Sequence, residues 1–392
     1  MNAHGTQKES RSRPVVMMYA LGFLVGIHIA LPAYLYSSFL SQFFPEKFIG
    51  VIFAVGSLVT IWAFSKLPKL LRRFGNFQVA TLVLSLAIVT TAAFAVLDIP
   101  LLVIGVFTLN TVSLAALGFN MDIFLEHSSA DNITGKIRGI YLVCINGAWI
   151  VAQLINSFIL SDGRYTSAFL LSAFAALPVL FLIRRNFKKF QDPAYQNLHT
   201  FKLFRTATKN KNLIGIYLIN FLLQFFYAWM VIYTPLYLHG HIGFSWQQIA
   251  LMFSVMLLPF ALLQAPLGTV ADRWLGEKEM LVAGFLIMAV SVFAMTFAAA
   301  QSLLFWTALL FVSRIGAATV EVMSETYFFK HVTDKDVSLI GLFRTTRPWA
   351  YIVSSILATV LLPFMAIQYL FAILACIMLY GAFRSLLLKD TL

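Results

Sequence analysis

Apolar residues in this chain do not alternate with polar ones; they run on in long blocks separated by short segments carrying charge, glycine or proline. A helix that crosses a bilayer uses roughly 20 consecutive apolar residues. Blocks of that kind lie near 15–40, 47–67, 76–97, 99–125, 137–160, 166–184, 213–238, 247–271, 279–300, 302–329, 337–362 and 366–388. The pattern predicts twelve membrane helices, and the single long interruption, 185–212, divides them into six and six. The expected organisation is a cytoplasmic tail 1–13, a six-helix bundle 14–184, a cytoplasmic central loop 185–212, a second bundle 213–388 and a short tail 389–392. The expected fold class is therefore an all-α membrane protein built from two parallel six-helix halves.

Composition agrees. Of 392 residues, 60% are apolar and 11% charged, against about 45–50% and about 25% in soluble domains. The balance is basic, 28 Lys and Arg against 16 Asp and Glu, but no polar stretch is long enough to form a nucleic-acid-binding face. The positive charge instead reports orientation, because loops rich in Lys and Arg stay on the cytoplasmic side. With the N-terminus inside, only Lys47 and Arg164 fall in outer loops and only Arg314 lies within a helix; every other cation is on the inner side. N-in and C-in topology in a bacterial-type cytoplasmic membrane is expected. Residues 1–13 are hydrophilic and the first apolar block is too long for a signal peptide, so it reads as a membrane helix. Cys144 and Cys376 sit in apolar blocks with no ligand spacing.

The halves also look alike. An offset of 202 aligns Met121 with Met323, Gly139 with Gly341, Tyr141 with Phe343, Ala148 with Ala350, Trp149 with Tyr351, and Val151 with Val353. The loop after the eighth block reads Gly268-Thr-Val-Ala-Asp272-Arg273-Trp-Leu-Gly276. It resembles the G-x-x-x-D-R-x-G signature of the major facilitator superfamily, with one extra residue before Gly276. The loop after the second block keeps Arg72, Arg73 and Gly75 but has neither the acid nor the first glycine. The tenth block carries Arg314-Ile-Gly316, similar to an R-x-G element of that superfamily. The resemblance, which covers residues 14–390, implies a secondary transporter that rocks between inward-open and outward-open states, with blocks 1, 4, 7 and 10 lining the cavity. It also implies a cytoplasmic gate in which Arg72 and Arg73 meet Asp122 and Glu126, and Arg273 meets Glu325 or Glu321, with Asp272 beside the start of block 5 or 11.

Polar side chains inside the blocks are the candidate chemistry, since each needs a partner or a wet cavity. Arg314, Glu321 and Glu325 recur at i, i+7 and i+11, on one helix face. They form either a cavity stripe, with Arg314 on a substrate group and a carboxyl exchanging protons, or a structural clamp. Asn146, Trp149, Gln153 and Asn156 make a polar face on block 5, and Tyr217, Asn220, Gln224 and Tyr227 one on block 7. Interhelical hydrogen bonds and solute recognition both account for such faces. His28, beside Gly26 and Pro32, is either a titrating site or a packing residue.

No phosphate-binding loop, nucleophile elbow or Cys/His ligand pair occurs, so neither ATP hydrolysis nor an enzyme is expected, and no cofactor. Residues 139–153 lack the glycine-rich element of many drug:proton antiporters of that superfamily. The expected partners are the bilayer, a small solute and protons. A membrane sensor or accessory protein of the same fold is the alternative, and the mixed charge of Arg314 and Glu321 leaves the sign of the solute open.

Overall fold

In hydrocarbon every backbone N–H and C=O must be paired within its own segment, which leaves the helix as the spanning form for an apolar block. The computed structural model describes residues 3–128, 134–160, 164–193, 195, 211–263, 266–267, 270–271, 275–298, 301–330 and 337–389. Its helices are α1 (Ala3–Ala33), α2 (Tyr36–Ser41), α3 (Glu46–Ala93), α4 (Pro100–Ser128), α5 (Thr134–Ile159), α6 (Thr166–Asn186), α7 (Lys211–Tyr237), α8 (Trp246–Met256), α9 (Leu258–Leu262), α10 (Gly276–Thr296), α11 (Leu303–Lys330), α12 (Val337–Leu361) and α13 (Tyr369–Leu386). Each of the twelve apolar blocks carries helix. Among the described residues, nine helical stretches are long and apolar enough to cross a membrane, and Trp246–Leu262 is a shorter apolar one.

The segment 65–75, expected as an interruption, is helical up to a sharp kink at Gly75 (φ 77°, ψ 160°). Lys, Arg and Leu are good helix formers, so the charged residues Lys66, Lys69, Arg72 and Arg73 continue the helix beyond its apolar part. Only the glycine breaks it. Gly75 is in a region that residues with a Cβ rarely adopt, and Gly276, which starts α10, has φ 71°. Both are the glycines that close the two signature-like loops. At the first, the backbone N–H of Asn76 donates to Asp192 Oδ1 at 2.6 Å. Asp192, from the segment after α6, thereby supplies an acceptor and a negative charge at the start of the second arm of α3, where the helix dipole favours it. The Tyr195 hydroxyl donates to the same oxygen at 2.5 Å; burial and the neighbouring carboxylate hold the Tyr195 phenol above its usual pKa.

The chain forms two compact units. The first takes Met1–Leu35 and Trp62–Gln196, the second Tyr36–Ile61 and Asn197–Leu392. In the first, α1 packs on α5 and α6, around a core that includes Met18, Leu21, Leu117, Met121 and Phe124. In the second, α10 packs on α11 and α13. There a Cβ on Gly316 would lie 2.5 Å from the Gly284 carbonyl oxygen, the close backbone approach that small residues permit between membrane helices. The start of α3 packs in this unit too: a Cβ on Gly50 would meet the Ser355 carbonyl and the Thr359 and Tyr233 hydroxyls at 2.5–2.6 Å, and Glu46 lies 3.5 Å from His241. Residues matched by the 202 offset have matching environments: Met121 and Met323, Tyr141 and Phe343, and Ala148 and Ala350 are all buried, while Val151 and Val353 are exposed.

The polar residues of the first unit follow from a break in α1. Pro32 has no N–H, so the carbonyl of His28, four residues back, loses its helical partner. The Ser172 hydroxyl donates to that carbonyl at 2.6 Å. Helix α1 ends at Ala33, with the Leu35 N–H turned back to the Pro32 carbonyl. Around this break the Gln153 amide donates to the Ala30 carbonyl and the Asn156 amide to the Leu31 carbonyl, each at 2.8 Å. Asn110 donates to Thr90 and Thr91, and Asn76 and Asn120 clasp each other.

Two predictions follow from these local rules. Ser172→Ala leaves a buried acceptor unmatched, which costs about 1–3 kcal/mol. In a Pro32→Ala background the new N–H restores the helical bond, so the Ser172→Ala loss shrinks; equal losses of melting temperature in both backgrounds would refute the assignment. Gly75→Ala combines positive φ with a Cβ placed 2.5 Å from Asp192 Oδ2, and is expected to lower the melting temperature more than Gly118→Ala, where a Cβ meets open space.

Candidate functional site

The second unit holds the charges that the membrane tolerates least. Helix α11 has 28 residues, and Arg314 stands about 17 Å along it at 1.5 Å per residue, near mid-depth. Insertion scales put the cost of Arg at a helix centre at roughly 2.5–3.5 kcal/mol. Arg314 is 2% exposed. Its guanidinium lies over the ring of Phe226 on α7, 5.0 Å from the centroid, and such a contact returns up to about 2 kcal/mol when desolvated. It consumes none of the five N–H donors. No hydrogen bond or ion pair ties Arg314 to any other described residue, and Nη1 is buried without a partner.

Glu321 does not neutralise it. Seven residues along a helix is about 10 Å, so the shared face keeps the two charges apart. The hydroxyl of Tyr227 on α7 donates to Glu321 Oε2 at 2.7 Å, and the Tyr227 ring lies 6.2 Å from that of Phe260 on α9. One turn earlier on α7, Gln224 is half-buried. Asn220 donates to Thr346 Oγ1 of α12 at 2.6 Å, and the Tyr217 ring packs between Phe328 and Phe343. Thus the polar face expected on the seventh block splits. Tyr217 and Asn220 bind neighbouring helices, whereas Tyr227 meets Glu321 of α11. Glu325, one turn beyond Glu321, is half-buried.

The fifth-block face splits differently. Gln153 and Asn156 are spent on the α1 break, Trp149 meets Tyr34 edge-on at 6.0 Å, and Asn146 is half-buried. His28 is 1% exposed and its Nδ1 contacts the Ser172 carbonyl and hydroxyl oxygens at 2.9 and 3.0 Å, the geometry of the packing alternative. Of the expected gate residues, Arg72, Arg73, Asp122 and Glu126 are exposed, and Arg73 lies over the Phe74 ring at 5.2 Å. Asp272 and Arg273 lie outside the described residues. At the corresponding end of α11, Lys330 forms an ion pair with Glu277, which is 1% exposed. The sequence reading missed this pair, Asp192 and Phe226. A charged pair 53 residues apart leaves no spacing signal, and a phenylalanine beneath an arginine is one apolar residue among many.

Residues 216–391 match the family model for the Major Facilitator Superfamily. That match covers the second half of the chain, the part that holds Arg314 and Glu321. Solved structures agree over nearly the whole chain. The nucleoside transporter NupG superposes with a TM-score of 0.73 at 16% identity, covering 95% of this chain and 98% of that one. A D-xylose-proton symporter gives 0.72 at 15% identity, covering 96% and 98%. A POT family transporter solved with a thioalcohol-conjugated peptide gives 0.75 at 11% identity, covering 95% of each. No curated protein sequence matches. The protein is an integral, multi-pass membrane protein with the fold of these transporters.

Proposed function

We propose that this protein is a member of the major facilitator superfamily and a proton-coupled secondary transporter of a small solute, working by alternating access in a bacterial-type cytoplasmic membrane with both termini inside. The observation that carries the reading is the mid-membrane set on α7 and α11, where Arg314 keeps free donors and Glu321 takes the Tyr227 hydroxyl. Ionisable groups at that depth are costly, and their usual role is in a substrate or ion pathway. Within this reading Arg314 and Gln224 contact the solute, and Glu321 carries the coupling proton. Tyr227 positions the carboxyl through its hydrogen bond. The inner-side residues Arg72, Arg73, Asp122, Glu126, Asp272, Arg273 and Glu325 serve as the gate. Asn146 and Trp149 are the first-unit candidates for the solute path, Asn220 holds α7 to α12, and His28 and Gln153 act in packing.

The structural neighbours carry nucleosides, xylose and peptides, which sets the first solutes to try. The test uses proteoliposomes loaded with a pH-sensitive dye, to which nucleosides, pentoses, peptides and organic acids are added in turn. A transported solute should move protons with it. Glu321→Gln should abolish the proton signal and solute accumulation at least tenfold while leaving solute exchange intact, and Tyr227→Phe should weaken accumulation less. Accumulation by Glu321→Gln equal to wild type would remove Glu321 from coupling. Solute binding without movement of any kind would replace transport by the sensor reading.

A further inference from the structure

We propose that the solute is a small organic monoanion whose carboxylate pairs with Arg314. This rests on the transporter reading and fixes the one property that the residue types alone leave undecided, the sign of the solute's charge. In the sequence Arg314 and Glu321 are balanced on one face of α11. In the structure the two do not pair: Glu321 accepts the Tyr227 hydroxyl, and Arg314 has no acceptor among the described residues, with Nη1 fully buried and unpaired.

A buried polar atom without a partner needs a physical explanation. A guanidinium serving as a structural clamp would show its forked N–H groups on backbone carbonyls or a carboxylate; Arg314 shows neither. What it has is the Phe226 ring, 5.0 Å from Cζ, which supports the cation and leaves every N–H donor unspent. The planar guanidinium edge matches a carboxylate, two N–H donors meeting two oxygens. The charge count favours a monoanion. Arg314 is the only cation inside α7 and α11, since Lys211 and Lys330 stand at their ends. One arginine neutralises one carboxylate; a phosphate ester, with up to two negative charges, would leave one buried and unpaired. Gln224, half-buried on α7, offers an amide for a polar group elsewhere on the same solute.

The test is a binding measurement on the purified, full-length protein in detergent, which does not depend on transport. Melting is followed with lactate, benzoate and N-acetyl amino acids, with the matching neutral amides, and with glycerol phosphate and glucose phosphate. A ligand of the folded state raises the melting temperature by mass action. The expected result is a rise with at least one carboxylate and none with its amide. Affinity should fall at least tenfold in Arg314→Gln and be partly recovered in Arg314→Lys. Ligand-free Arg314→Gln should melt at or above the wild-type temperature, because an unpaired buried charge has been removed. A shift caused only by amides, by phosphates, or by no carboxylate overturns the proposal, as does a carboxylate shift that persists in Arg314→Gln. A ligand-free Arg314→Gln that melts well below wild type assigns the arginine to the scaffold and also overturns it. Proton-coupled movement of a neutral solute in the proteoliposomes, with these outcomes, would leave the transporter reading standing while removing the anion.

Discussion

The hydrocarbon core offers no hydrogen-bond partner to a polar group, and the arrangement of this protein turns on how each such group is matched. An unpaired amide or carbonyl there costs several kcal/mol. Pro32 creates one orphan carbonyl in α1, and the helix ends one residue later. Three side chains from two other helices, Ser172, Gln153 and Asn156, converge on carbonyls of the segment 28–31. The break therefore does more than bend a helix. It calls for polar residues on α5 and α6 where those helices pack on α1.

The two units use their intramembrane polarity differently. In the first, asparagines, a glutamine and a histidine bond backbone carbonyls and hydroxyls around an apolar core, with His28 Nε2, Asn120 Oδ1 and Asn156 Oδ1 left buried without a hydrogen-bond partner. In the second, some polar groups bind across helices, as Asn220 does to Thr346 and Trp229 Nε1 to the Ser354 carbonyl, but Arg314 retains donors that no other described residue accepts. Other buried polar atoms among the described residues also lack a hydrogen-bond partner; Arg314 differs from them in carrying a full charge near mid-depth of a spanning helix.

The internal repeat shows how strongly local chemistry constrains each half. Gly75 and Gly276 share a positive φ, although the loops around them have diverged and only the second keeps the Asp-Arg pair. The turn demands a residue without a Cβ, whatever else changes. The acids around these glycines differ in origin: Asp192 arrives from the segment after α6 to cap the first, and Glu277, the residue next to Gly276, pairs with Lys330 beside the second. The resemblance to the family signature was thus legible at the glycines and the Asp-Arg pair. The capping role of Asp192 was not, because 116 residues separate it from its partner.

Block length and charge distribution by themselves determined that the chain is a multi-pass helical membrane protein, because hydrocarbon thickness and the need to pair every backbone group admit only long apolar helices. The i, i+7 spacing put Arg314 and Glu321 on one face, and the polar periodicity found faces on α5 and α7. Only the tertiary structure decided what those faces do. Hydrogen bonding and ion pairing are short-ranged and depend on which helix lies opposite. Gln153 and Asn156 became backbone partners because α1 breaks beside them, Glu321 met Tyr227, and Arg314 met an aromatic ring and, among the described residues, no acceptor.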